Sequence, residues 1–128
     1  IHKCFTAKQN GVPFKVWGDG SPVREFIYSK DVADICIKLL NDNIELPNRV
    51  IVSGNRAIQI KELVNLICNI FDYYDVEWIP SKSNGNQKRI SDKKIFDALL
   101  PSYEFTNLAD SMAHTIKWFK ENYPDVRR

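Results

Sequence analysis

Ile60, Leu63, Val64, Ile67, Ile70 and Phe71 recur at the three- and four-residue spacing of one helical face, with Lys61, Glu62, Asn65 and Asn69 opposite. An apolar stripe of that kind must be covered by another layer, so the chain has to build a core around this helix. The neighbouring segments supply that layer. Phe14, Val16 and Trp17 read as a short strand, broken by the turn Gly18-Asp19-Gly20-Ser21-Pro22, and Arg24 to Tyr28 reads as a second strand. Ser29 is then a helix N-cap, with Asp31 in the first turn and Val32, Ile35, Cys36, Leu39 and Leu40 forming one buried stripe. Asn41-Asp42-Asn43 and Pro47 end that helix, Arg49 to Ser53 reads as a β-branched strand at a sheet edge, and Gly54-Asn55 turns the chain.

At the start, Ile1 to Gln9 reads as the tail of a helix stopped by Gly11. After the 60–71 helix, for which Gln59 is a poor cap, come a strand at Val76 to Ile79 and a polar, acid-free loop from Pro80 to Lys88. Ser91 caps a short helix running to about Leu99, Pro101 stops it, and Thr106 caps a last helix that aligns Leu108, Met112, Ile116 and Phe119 before Pro124. The pattern is mixed α/β throughout residues 1–128, with no internal boundary, repeat or low-complexity segment.

Composition narrows the function classes. Eighteen basic against sixteen acidic residues give a net charge of +2, far from the one-sided field of a dedicated nucleic-acid binder. No run approaches the ~18 to 20 apolar residues of a membrane helix. Cys4, Cys36 and Cys68 are odd in number, far apart and in apolar company, which argues against a disulfide framework or zinc site and for buried thiols in a reducing, cytoplasmic setting. The chain starts at Ile1 and its only methionine is Met112, so a piece of a longer protein is expected.

Catalytic constellations are missing: there is no glycine-rich dinucleotide fingerprint, no phosphate loop and no spaced metal set. His2 and His114 read as solvated side chains. Two cationic features remain. The Gly18-to-Pro22 turn delivers Arg24, whose planar guanidinium matches phosphate oxygens two at a time; the bland alternative is pairing with Asp31 or Asp34. Ser81-Lys82-Ser83-Asn84-Gly85-Asn86-Gln87-Lys88-Arg89 places three cations among amides, which suits an anion bearing sugar hydroxyls or, equally, an inert solvated loop.

At these residues the chain resembles the extended short-chain dehydrogenase/reductase family of nucleotide-sugar enzymes. Val16-Trp17-Gly18-Asp19-Gly20-Ser21-Pro22-Val23-Arg24-Glu25-Phe26 looks like the family's Trp-Gly-x-Gly-x-Pro-x-Arg-x-Phe segment, and Asp31-Val32-Ala33 like the helix start that follows it. Ser81-Lys82-Ser83-Asn84-Gly85 is similar to its Ser-Lys-x-Asp-Gly loop, with Asn84 replacing the aspartate, and Trp118 to Tyr123 is similar to its closing helix.

The resemblance implies a small mixed α/β substrate-binding lobe, the C-terminal part of a Rossmann-type enzyme whose N-terminal Rossmann domain is absent from these residues. It points to the branch that epimerises GDP-4-keto-6-deoxymannose and reduces it with NADPH to GDP-L-fucose. NADP(H), the reducing Ser and Tyr-x-x-x-Lys group, and the epimerising Cys and His would belong to an upstream domain; Cys4 and His2 do not match those positions. The chain alone is then expected to be inactive and the complete enzyme to be a homodimer. The same resemblance assigns Arg24 to the pyrophosphate of a GDP-sugar, Lys3 to a phosphate or nearby oxygen, and Trp17 to the nucleotide or sugar wall. It leaves Asn84 for a ribose hydroxyl and Lys88 and Arg89 for added positive charge. Another nucleotide-sugar epimerase or dehydratase of the family, acting for example on a UDP-sugar, and a noncatalytic nucleotide-binding module are the alternatives.

Overall fold

The computed structural model describes residues 1–41, 46–54 and 56–126. Helix α1 (His2–Asn10) ends at Gly11 in the left-handed conformation, as the glycine predicts. Strand β1 (Phe14–Trp17) and, after the turn, β2 (Val23–Glu25) lead into α2 (Ser29–Asn41). Strand β3 (Ala57–Gln59) runs directly into α3 (Ile60–Phe71). Strands β4 (Val76–Ile79) and β5 (Lys88–Arg89) precede the short helix α4 (Lys94–Leu99) and the closing helix α5 (Leu108–Asn122).

Two small sheets result. Strands β1 and β4 pair in parallel from Phe14 opposite Val76 to Trp17 opposite Ile79. In the second sheet β2 is central: β3 runs antiparallel to it, and β5 parallel, with Val23 opposite Lys88 and Arg24 opposite Arg89. The main core gathers Cys4 and Ala7 of α1, Phe14 of β1, the stripe Val64, Ile67, Cys68 and Phe71 of α3, and Ile116 of α5. Helix α3 is therefore covered by α1, β1 and α5. A second cluster joins Ile35 and Leu39 of α2 to Phe96 of α4, with Val50, Val52, Tyr103 and Phe105 at its edge. Asp31 ties the two ends of this cluster together: its carboxylate accepts from the Thr106 hydroxyl at 2.6 Å and the Thr106 N–H at 3.0 Å.

Several elements differ from the sequence reading. The second strand stops at Glu25 instead of continuing to Tyr28, because β3 offers only three residues to pair with. Residues 49–53 carry strand-forming side chains but pair with no strand among the described residues; Val50 and Val52 turn into the second core and leave Ile51 51% exposed. The pairing partner of β2 is instead Ala57–Gln59, a segment with no alternation long enough to mark it.

Alpha2 buries Asp31, Ile35 and Leu39, whereas Cys36 and Leu40 face outward, so the expected stripe is narrower by two. The helix starts differ by a residue or more: Ser29 is already helical, α4 begins at Lys94, and Asn107 rather than Thr106 caps α5, accepting from Ala109 N–H at 2.8 Å. Thr106 lies one residue before that cap, with its hydroxyl and N–H both donating to Asp31. Gln59 proves a better α3 start than its side chain suggested, since Glu62 reaches back to its N–H at 3.3 Å. The expected breaks at Asp42-Asn43 and at Asn55 lie outside the described residues.

Candidate functional site

The turn between β1 and β2 carries the chemistry. Trp17 is the last residue of β1, and being at a strand end it keeps 62% of its surface in solvent. Lys3, the second residue of α1, brings its ammonium 4.6 Å from the centre of the Trp17 ring, and Lys82 places a second ammonium 5.9 Å from it. Each contact contributes about 0.5–1 kcal/mol at an exposed ring. The functional consequence is that two cations from distant parts of the chain flank one flat aromatic surface. Lys82 was visible in sequence only as one charge in a polar loop; its place on Trp17 comes from the pairing of β4 with β1, which puts the residues after Ile79 beside those after Trp17.

Arg24 lies in the middle of β2, half-buried, with its Nη1 donating to Val23 O at 2.7 Å. The bland alternative of an internal ion pair is not realised. Asp31 is occupied by Thr106, Asp34 lies 4.0 Å from Lys38, and no acid among the described residues forms an ion pair with Arg24. Parallel pairing sets Arg89 directly opposite Arg24 and Lys88 opposite Val23. Like charges on opposite positions of neighbouring strands repel, and here Lys88 and Arg89 are exposed and form no ion pair with an acid among the described residues. Such a cluster is stabilised when an anion enters it. Glu25, next along β2, faces the other way in function: its carboxylate accepts the Ser91 N–H at 2.7 Å and so fastens the end of β5 beside β2. Burial works against the charged form of Glu25, but hydrogen bonds from Ser91 and Ser53 and the charge of Lys93 outweigh it and hold its pKa below the usual 4.5.

Asn84 sits between the two cationic groups. Its Oδ1 accepts the Asp19 N–H at 3.0 Å; the Asp19 carboxylate itself accepts the Ser21 N–H at 2.9 Å, and that bond foremost keeps the acid below its ordinary range. Three residues on, Gln87 O accepts from Val23 N–H at 2.8 Å. The 80s loop is thus held to the 18–23 segment at both ends. Lys3, Trp17 and Lys82 lie at one end of this seam and Arg24, Lys88 and Arg89 at the other.

The remaining candidates for chemistry are structural. Cys4 and Cys68 are buried against each other, and burial raises both thiols, Cys4 to about 11. Neither is poised as a nucleophile. Cys36 is exposed, contrary to the expectation of three buried thiols. His2, expected in solvent, is partly buried and lies tilted against Phe119 and Tyr123 with ring centroids at 5.7 Å, whereas His114 is exposed beside Tyr28 at 6.3 Å. Among the described residues no group of His, Cys, Asp and Glu could hold a metal ion, and no helix is long and apolar enough to cross a membrane. The only Gly-x-Gly run, Gly18-Asp19-Gly20, leads through Pro22 into strand β2 and not into a helix N-terminus, so its backbone offers no helix dipole to a pyrophosphate.

Residues 1–54 match the model of the NAD dependent epimerase/dehydratase family. The chain is 30% identical over its whole length to a probable GDP-L-fucose synthase of Drosophila melanogaster, of which it spans 42%. It is 28% identical, again over its whole length, to a GDP-L-fucose synthase of Dictyostelium discoideum, of which it spans 41%. The crystal structure of a GDP-L-fucose synthetase from Naegleria fowleri bound to NADP superposes with a TM-score of 0.89 at 30% identity, covering 99% of this chain and 40% of that one.

The mixed α/β arrangement is similar to that of the corresponding part of the Naegleria fowleri enzyme, a Rossmann-like fold of the epimerase/dehydratase type. The chain spans about two fifths of the length of the relatives it matches. Within the class, it resembles the GDP-L-fucose synthases along essentially its entire sequence.

Proposed function

We propose that residues 1–128 form the C-terminal nucleotide-sugar-binding region of an NADP(H)-dependent GDP-L-fucose synthase-like enzyme, one that epimerises GDP-4-keto-6-deoxymannose and reduces it to GDP-L-fucose. The observation that carries this reading is the Arg24–Arg89 pair, two guanidiniums on opposed strand positions with no acidic ion-pair partner among the described residues. A diphosphate resolves that repulsion, accepting two parallel N–H bonds from Arg24 and further charge from Lys88 and Arg89. Trp17, flanked by Lys3 and Lys82, provides a flat wall for the base or sugar.

The division of labour follows from what these residues are able to do. They bind and orient; the hydride donor, its NADP(H) site and the acid and base groups come from the remainder of a longer, cytoplasmic, homodimeric protein. Cys4, buried with its thiol near 11, is unsuited to proton transfer at neutral pH. Binding energy from the remote nucleotide then holds the sugar at the reacting groups, and the chain by itself is inactive. The test is Arg24→Ala in the complete enzyme. Loss of charge-assisted hydrogen bonds at ~1.5–3 kcal/mol predicts a drop in kcat/KM for the GDP-sugar of at least ~10-fold, and near-normal kinetics would refute the assignment.

A further inference from the structure

We propose that Trp78 is a positioning residue for the nucleoside diphosphate: the outer edge of its ring is the floor on which Gly20 lies, and this seat fixes how far Trp17 stands from Arg24. The inference rests on the binding reading above and adds to it a residue that needs no contact with the ligand.

The turn is held from the core side as well as from the 80s loop. Trp78 stands opposite Val16 in the parallel β1–β4 pair and packs, half-buried, against the main core. Gly20 is buried in the turn between Trp17 and Arg24, with a φ of +77°. A Cβ there would lie 2.5 Å from Trp78 Cη2, 2.7 Å from Trp78 Cζ3 and 2.9 Å from Lys61 Cβ. All three distances are shorter than van der Waals contact, so the backbone reaches the ring only because position 20 has no side chain.

Helix α3 fixes the same turn by hydrogen bonds. Gly20 O accepts the Lys61 N–H at 3.0 Å and Pro22 O the Ile60 N–H at 2.9 Å, so the first two N–H groups of the helix, which no intrahelical acceptor can serve, end on the turn. These bonds prolong the antiparallel β2–β3 ladder, in which Val23 lies opposite Gln59. The ladder sets the direction of the turn and the Trp78 edge sets its depth. Two residues separate Gly20 from Trp17 and three separate it from Arg24, so a displaced Gly20 moves the guanidinium relative to the indole wall. Trp78 acts through that separation, which a diphosphate and the base or sugar attached to it must span.

The test is GDP binding by calorimetry, with thermal unfolding alongside, in the complete enzyme as wild type, Trp78→Phe, Gly20→Ala, the double variant Gly20→Ala/Trp78→Phe and Ile35→Val. Phenylalanine keeps an aromatic ring in the core but ends short of Gly20, and alanine at position 20 is driven off the ring. Each is expected to weaken GDP binding ~10-fold or more, since misplacing a positioned group by as little as ~1 Å has effects of that order. In the double variant the losses should fall well short of additive, because the added Cβ enters the space that the missing ring edge leaves. Ile35, buried in the second core, supplies the control: its valine variant should lower Tm and leave GDP binding within ~2-fold of the wild type. Wild-type affinity in Trp78→Phe, additive losses in the double variant, or an equal loss in Ile35→Val would overturn the proposal. Hydrogen exchange of the Ile60 and Lys61 amides is a second measurement that needs no ligand. It should quicken in Gly20→Ala and Trp78→Phe, and unchanged rates would also overturn the proposal. Arg24→Ala separates the two ideas: unchanged GDP binding in that variant refutes the binding reading, while the exchange rates still decide whether Trp78 seats the turn.

Discussion

Gly11 and Gly18 offer a matched pair for measuring what the turn contributes. Both have positive φ, +62° and +81°, so alanine at either meets the same backbone penalty of about 1 kcal/mol. They differ in surroundings: a Cβ at Gly11 meets nothing within 4 Å, whereas one at Gly18 lies 2.0 Å from Asn84 Oδ1. The second must therefore displace the amide and break the Asp19 N–H bond, a net loss of a further ~0.5–1.5 kcal/mol. Gly11→Ala is expected to cost about 1 kcal/mol and Gly18→Ala about 1.5–2.5 kcal/mol. Urea unfolding of both variants gives the comparison directly, provided the slopes agree with that of the wild type. In an Asn84→Ala background the excess at Gly18 should vanish, because the obstructing oxygen is gone. Equal losses at the two glycines, or an excess that survives Asn84→Ala, would refute the reasoning.

Glu25 predicts an acid limb of stability. Its pKa is depressed on folding, so the stabilisation it contributes is fully present above its unfolded value near 4.5 and is lost as pH falls through the lower folded value. Glu25→Gln should therefore be less stable than the wild type at neutral pH and approach it below about pH 4; a difference independent of pH would count against the Ser91 contact as the cause. The thiols should separate by burial, with Cys36 reacting at once with a thiol-specific disulfide reagent at neutral pH and Cys4 and Cys68 reacting only when denaturant exposes them. Three equal rates would contradict the packing of α1 on α3.

Much of the architecture is legible in the residues because it is local. The stripe from Ile60 to Phe71 identifies α3, Gly11 ends α1, and Phe14 to Trp17 and Val76 to Ile79 are strands in both sequence and structure. Local chemistry fails where a distant group competes for it. Thr106 has the side chain of an N-cap but gives its hydroxyl to Asp31, and Asn107 caps α5 instead. Arg49 to Ser53 has the side chains of a strand, yet a strand exists only with a hydrogen-bonding neighbour, and Ala57–Gln59 is the segment that lies along β2.

The site divides in the same way. The sequence by itself determined the identity of its parts: a glycine-rich turn delivering Arg24 after Trp17, an acid-free loop holding Asn84, Lys88 and Arg89, and a lysine in the first helix. Tertiary structure alone decided which of them meet. Parallel pairing of β1 with β4 brings Lys82 to the ring that Lys3 already covers, and parallel pairing of β2 with β5 sets Arg89 opposite Arg24. Parallel strands require long crossovers, so their register depends on the packing of everything between them. Residues 65 positions apart, such as Asp19 and Asn84, are joined only when that packing is complete.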